Sequence, residues 1–100
     1  MASSAEYLEY VLDLLREVPE ITARKMMGEY LLYAGGRLFG GVYDDRFLVK
    51  ETAASRAMLA TTMLPYDGAK PMRLVDVEDP GAIAQLVAAM LPELPAPRKG

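Results

Sequence analysis

The sequence contains no cysteine and no histidine. The first absence excludes disulfides, thiolate metal sites and cysteine nucleophiles. The second excludes imidazole bases, histidine-dependent triads and histidine metal ligands. Much of enzyme chemistry is closed to such a chain, so the expectation is a non-enzyme with no catalytic residue, metal or cofactor. Long apolar runs are missing as well. A membrane-spanning helix needs roughly 20 apolar residues, and the longest low-charge stretch, Pro80 to Pro92, is shorter and contains Gln85. Met1 to Tyr7 carries neither the basic start nor the apolar run of a secretory signal. The expectation is a cytoplasmic protein with no membrane partner. An excess of positive charge is lacking too. The 11 basic and 14 acidic side chains leave a net charge of -3, against a dominant phosphate-binding surface.

What is present is an ordinary globular composition. The chain has 100 residues, of which 52% are hydrophobic and 25% charged, enough for one domain with one core. Ser3 and Glu6 have capping-box spacing, which predicts a helix starting near Ser4. Leu8, Val11, Leu12 and Leu15 then form one apolar stripe, and Pro19 is expected to stop the helix. From Ile21 the period changes. Ile21 to Met27, Glu29 to Ala34, Arg37 to Tyr43 and Arg46 to Lys50 read as strands of an antiparallel meander. Gly35-Gly36 and Asp44-Asp45 mark its turns, because both residue types tolerate positive φ.

Apolar residues fall on both faces of that meander, with Leu38 and Val42 on one side and Phe39 and Tyr43 on the other. This predicts one face packed by helices and a second covered in part, for instance by a partner. Gly40-Gly41 inside a strand implies a bulge, a strong twist or the close approach of another backbone. Glu51 to Ala60 reads as a short helix capped by Thr52, Leu64 to Pro71 as a loop, and Met72 to Val77 as a last strand. Asp79-Pro80 opens a final helix bearing Ile83, Leu86, Val87, Met90 and Leu91 on one stripe. The expected fold class is α+β, two layers, with helices packed on an antiparallel sheet of four to five strands. The domain is expected to span 1–92, followed by a flexible proline-rich tail, 93–100.

The segment from Arg24 to Lys50, RKMMGEYLLYAGGRLFGGVYDDRFLVK, resembles the N-terminal domain family of the TfoX/Sxy regulators. The shared pattern is an Arg-x-Met-Met-Gly stretch, a Tyr-containing strand, a Gly hairpin, a Phe-Gly strand, an Asp turn and a strand ending in Lys. Tyr66 to Met72 resembles the family's later aromatic-plus-Pro-Met stretch, and the likeness extends over about Tyr7 to Leu91. The resemblance implies a secretion-chaperone-like two-layer fold that pairs as a homodimer. It also implies a regulator linked to natural competence, working with a cyclic-AMP receptor-type activator or other transcription machinery. This chain resembles the stand-alone N-terminal members, without the second, helical domain of the full regulators.

Candidate contact residues follow. Arg24-Lys25 is either a phosphate or acidic-partner contact or a solvated strand edge. Lys50, with Arg37 and Arg46, adds to a basic strand face if these side chains converge, the arrangement that direct nucleic-acid binding requires. Met26 and Met27, as neighbours in a strand, are expected on opposite faces, one in the core and one exposed. Tyr30, Tyr33, Tyr43 and Tyr66, with Phe39, form a candidate aromatic anchor. Lys70 beside Tyr66 is the remaining nucleophile candidate for an enzyme or small-molecule binder. Asp44-Asp45 with Glu29 reads as turn chemistry in preference to a metal site.

Overall fold

A computed structural model describes residues 3–95. The first helix, α1 (Ala5–Leu14), is capped by Ser4, whose side chain accepts from the Tyr7 amide. Ser3, the residue expected to cap, instead joins a clasp described below. The helix also ends well before Pro19. Its last turn tightens after Leu14, with Val18 N–H donating to the Leu15 carbonyl at 2.9 Å, and Val18 is buried.

Four strands follow as a meander: β1 (Ile21–Met26), β2 (Glu29–Ala34), β3 (Arg37–Val42) and β4 (Phe47–Val49). Their three turns share one device, two successive residues at positive φ, the geometry that matches the twist of a tight hairpin. Met27-Gly28 has φ of 52° and 85°, Gly35-Gly36 has 57° and 82°, and Asp44-Asp45 has 51° and 54°. The short helix α2 (Ala53–Met58) carries a full capping box between Thr52 and Ser55. Two short strands, β5 (Thr62–Met63) and β6 (Met72–Leu74), and the helix α3 (Pro80–Met90) complete the order, and a 3-10 turn at Leu91–Glu93 follows. Asp79 caps α3 and Pro80 opens it, as its sequence predicts.

The sheet is antiparallel throughout, in the order β1-β2-β3-β4-β6-β5. The fold is α+β, with one more strand than the four to five expected. The additional strand, β5, is two residues at the sheet edge, too short to leave a periodic signal. Val11 of α1 and Leu15 at its end join Ile83, Leu86, Val87 and Met90 of α3 in one core, packed against Leu32, Phe39, Val42, Phe47 and Val49 of the sheet, with Ala54 of α2 at its margin. No helix among the described residues is long and apolar enough to cross a membrane.

A bulge decides which side chains of β3 reach this core. Leu32 pairs with Gly40 and Tyr33 with Leu38, so Phe39 is an extra residue without a partner on β2. The insertion shifts the alternation by one residue. Phe39 and Val42 therefore both enter the core, while Leu38 and Tyr43 lie away from it. This corrects the expected pairing of Leu38 with Val42 and of Phe39 with Tyr43. The two glycines follow for a different reason, close approach. A Cβ on Gly40 would collide with the Leu48 carbonyl and lie 2.9 Å from Val49 Cα, and one on Gly41 would lie 2.5 Å from the Tyr30 carbonyl oxygen.

Packing continues past residue 92. Leu94 is buried, and the Glu93 carboxylate accepts from the Ala53 and Ala54 amides at 2.8 and 3.1 Å, covering the start of α2. Residues 93 and 94, placed in the expected tail, are thus packed on the domain, and 96–100 lies outside the described residues. Arg37 closes the same corner by donating to the Leu91 and Leu94 carbonyls at 3.3 and 2.9 Å. Glu93→Ala is expected to cost about 1 kcal/mol, the usual worth of a helix N-terminal cap. Chemical denaturation of the full chain measures this. An unchanged midpoint would mean that the turn after α3 contributes nothing to the domain.

Candidate functional site

The helices pack on one face of the sheet; among the described residues, the 65–72 segment and Pro95 border the opposite face. Register and alternation place Thr22, Arg24 and Met26 of β1 on this face, opposite Tyr33, Leu31 and Glu29 of β2. Leu38 lies opposite Tyr33, Gly41 opposite Leu31, and Leu48 opposite both Gly41 and Leu74. The result is a second apolar layer, in which Leu48 is fully buried although it lies outside the helix-packed core.

Two hollows are cut into this layer. One, of about 740 Å³, is bounded by Tyr43, Lys50 and Glu51 and by the 65–72 segment that carries Tyr66, Lys70 and Met72. The other, of about 780 Å³, is bounded by Thr22, Arg24, Met26, Tyr33 and Gly36. Both are lined by Leu38 and Lys50, so the hollows adjoin at these side chains and together make up the groove of this face, from β1 to the 65–72 segment. Cations stand along it: Arg24 in the first half, Lys50 at the junction and Lys70 in the second. Among the described residues none of the three has an ion-pair partner. Glu51, the acid at the groove, is already engaged, since Arg73 holds it at 2.9 Å and also donates to the Leu59 carbonyl.

The candidate residues divide accordingly. Arg24, Met26, Tyr33, Tyr43, Lys50, Tyr66 and Lys70 share the groove. Lys25 does not: it lies opposite Tyr30, on the side of the sheet where Tyr30 packs against the helix core. Tyr30 leaves the aromatic cluster for the same reason. Phe39 is 0% exposed in that core and presents nothing to a partner. Arg37 and Arg46 leave the basic face, the first holding the end of α3 and the second beside Asp44 at 3.5 Å. The methionine pair also departs from its expected split. Met26 is 49% exposed and Met27 98%, and neither enters the core, because Met27 sits in the hairpin turn and not in the strand.

Glu29, Asp44 and Asp45 form a clasp. Glu29 accepts from the Ser3 amide and hydroxyl at 3.0 and 2.5 Å and from the Asp44 amide, while Asp45 accepts from the Ser4 amide at 2.8 Å. The carboxylates thus tie the start of α1 to two hairpin turns. Among the described residues no group of acids is placed to hold a metal ion.

The phenols of the groove interact. Burial pushes the Tyr43 phenol above its ordinary value of 10.0, and the nearby Tyr66, Glu29 and Tyr33 push it the same way. A raised folded-state value means that the folded chain holds this proton longer than the unfolded chain. The corresponding stability is complete below about pH 10 and is lost as pH rises through the folded value. Tyr43→Phe is therefore expected to flatten the loss of stability as pH rises above about 10. Urea midpoints of both proteins through that rise measure it. Parallel curves would show that Tyr43 ionises as freely in the folded chain as in the unfolded one.

A curated relative, described as an uncharacterized 12.7 kDa protein in the trpE 5' region of Spirochaeta aurantia, is 32% identical over 102 residues, covering 98% of this chain and 89% of the relative. No solved structure matches. The family model described as the TfoX N-terminal domain matches residues 13–86, from the last two residues of α1 into α3 and across the whole sheet. The chain belongs to the TfoX N-terminal domain family.

Proposed function

We propose that this chain is a non-enzymatic regulatory module of the cytoplasm, acting on transcription through a protein partner that docks on the helix-free face of its sheet. The observation that carries this reading is the apolar second layer itself, with Met26 49% and Tyr66 66% exposed along it. Exposed aromatic and methionine side chains are favoured at contact surfaces. Met27 adds to it. A nearly fully exposed methionine at φ 52° occupies a turn position that Asn or Gly fills without strain, so the fold gives no reason for it. The lack of histidine and cysteine supports the non-enzymatic part. A cyclic-AMP receptor-type activator is the partner that the family relationship suggests.

The test is affinity capture from native lysate after nuclease treatment, comparing the wild type with a Met26→Ser, Tyr66→Ala variant. The expected result is a nuclease-resistant partner retained by the wild type and lost by the variant. Capture that is absent, or indifferent to the substitutions, overturns the reading. Sedimentation of the same samples reads out pairing of two copies. Direct nucleic-acid binding is the second reading, favoured by the alignment of Arg24, Lys50 and Lys70 along one groove. It has lost Lys25, Arg37 and Arg46 from its contact set, and it predicts nuclease-sensitive capture.

A further inference from the structure

The lining of the groove is charged as well as apolar. The whole chain is acidic, at -3, yet the groove carries Arg24, Lys50 and Lys70 without ion-pair partners among the described residues. Glu51, the one acid among the described lining residues of the two hollows, is paired with Arg73. Between the cations the surface is apolar, supplied by Met26, Tyr33, Leu38, Tyr43 and Met72. Three cations spaced along an apolar trough are complementary to an extended segment that carries carboxylates and apolar side chains in turn at every second residue, since only i, i+2 and i+4 share one side.

We infer that the groove receives an acidic, apolar-studded peptide segment of the partner, laid across the sheet from Arg24 past Lys50 to Lys70. The inference rests on the proposed docking face and specifies what docks there. A nucleic acid is the weaker fit. Three cations in an acidic domain fall short of the basic stripe that tracks a phosphate backbone, and the trough between them is mainly apolar. The carboxylates of the segment pair with the three cations at the groove's rim, and its apolar side chains fill the two hollows. Pairs of this kind contribute more to selection and encounter rate than to bulk affinity, so binding is expected to weaken steeply with salt.

Fluorescence anisotropy of the full chain tests this with a labelled peptide of about ten residues in which Glu and Leu or Phe take turns at every second position, so that both kinds lie on one side of the extended chain, long enough to cross the 30 Å breadth of the molecule. A Gln-for-Glu peptide and an oligothymidylate of similar length are the comparisons. The acidic peptide is expected to bind at least about tenfold more tightly than the neutral one, with Lys50→Glu reducing its affinity about tenfold. Lys25→Glu, the same change on the other face, is expected to leave binding unchanged. The salt dependence of the wild type gives the same information without any substitution. Equal binding of the Glu and Gln peptides, tighter binding of the oligothymidylate, or equal loss in Lys25→Glu and Lys50→Glu each overturns the inference. Lysate capture that survives Lys50→Glu but fails in the Met26→Ser, Tyr66→Ala variant leaves the docking face standing and removes the acidic segment alone.

Discussion

Phe39→Ala is expected to lower the stability of the domain by about 4 kcal/mol, within the 3–5 kcal/mol typical of a buried phenylalanine truncated to alanine. Phe39 is fully buried among α1, α3 and the sheet, so its removal forfeits transfer energy and leaves a hole. The bulge aggravates the loss. Phe39 has no partner on β2, yet its carbonyl accepts from the Lys50 amide at 2.8 Å, so the residue that fills the core also anchors the end of β4. Neighbours cannot collapse into the hole without disturbing that pairing. Small domains are stable by about 5–15 kcal/mol, so the variant approaches the unfolding threshold. Tyr66→Ala is the contrast, because Tyr66 is 66% exposed and surface changes usually stay within about 0.5 kcal/mol. Urea denaturation of both separates the assignments. A loss below about 1 kcal/mol for Phe39→Ala would return Phe39 to the surface cluster in which its sequence context first places it.

The contrast between these two aromatics shows where sequence patterning carries information and where it stops. Features decided within a few residues are legible. Thr52 and Asp79 cap their helices, and Gly35-Gly36 and Asp44-Asp45 take up positive φ, because capping and turn geometry are local. Ser3 and Ser4 exchange roles because the clasp to Glu29, 26 residues away, competes for Ser3. Side assignments in β3 fail for a related reason. Alternation holds only as long as the register is unbroken, and one inserted residue transfers Phe39 to the core. The candidate site divides in the same way. A second apolar face is visible in the mixed patterning of the strands. Which cations share it depends on β1 lying at the sheet edge and on the 65–72 segment returning beside β3, and both are tertiary facts. Arg24 and Lys25 are neighbours in sequence, yet they occupy opposite faces of the strand.

Gly40→Ala is expected to cost about 3 kcal/mol, at the upper end of the usual overpacking penalty. The reason lies in what its new methyl group would strike. The atoms in its way are the Leu48 carbonyl and Val49 Cα, backbone of β4 that no rotamer change can move aside. Either β4 shifts bodily, breaking its register with β3, or β3 bends away and withdraws Phe39 from the core. Gly35→Ala isolates the other use of glycine. A Cβ there meets nothing within 4 Å, and the cost arises from φ at +57° alone, about 1 kcal/mol for an L-residue in the left-handed region. The two glycine pairs are alike in sequence and differ in function: one supplies backbone conformation, the other supplies room. Thermal unfolding of the two variants distinguishes them, with the Gly40 variant melting well below the Gly35 variant. Equal losses would mean that β3 and β4 are not held at the close separation that the core requires. The consequence reaches the groove as well, since Gly40 lines the hollow beside Lys50 and Lys70. A sheet spread apart at Gly40 would displace Lys50 from the junction of the two hollows, so peptide binding is expected to fall along with stability in Gly40→Ala and to remain intact in Gly35→Ala.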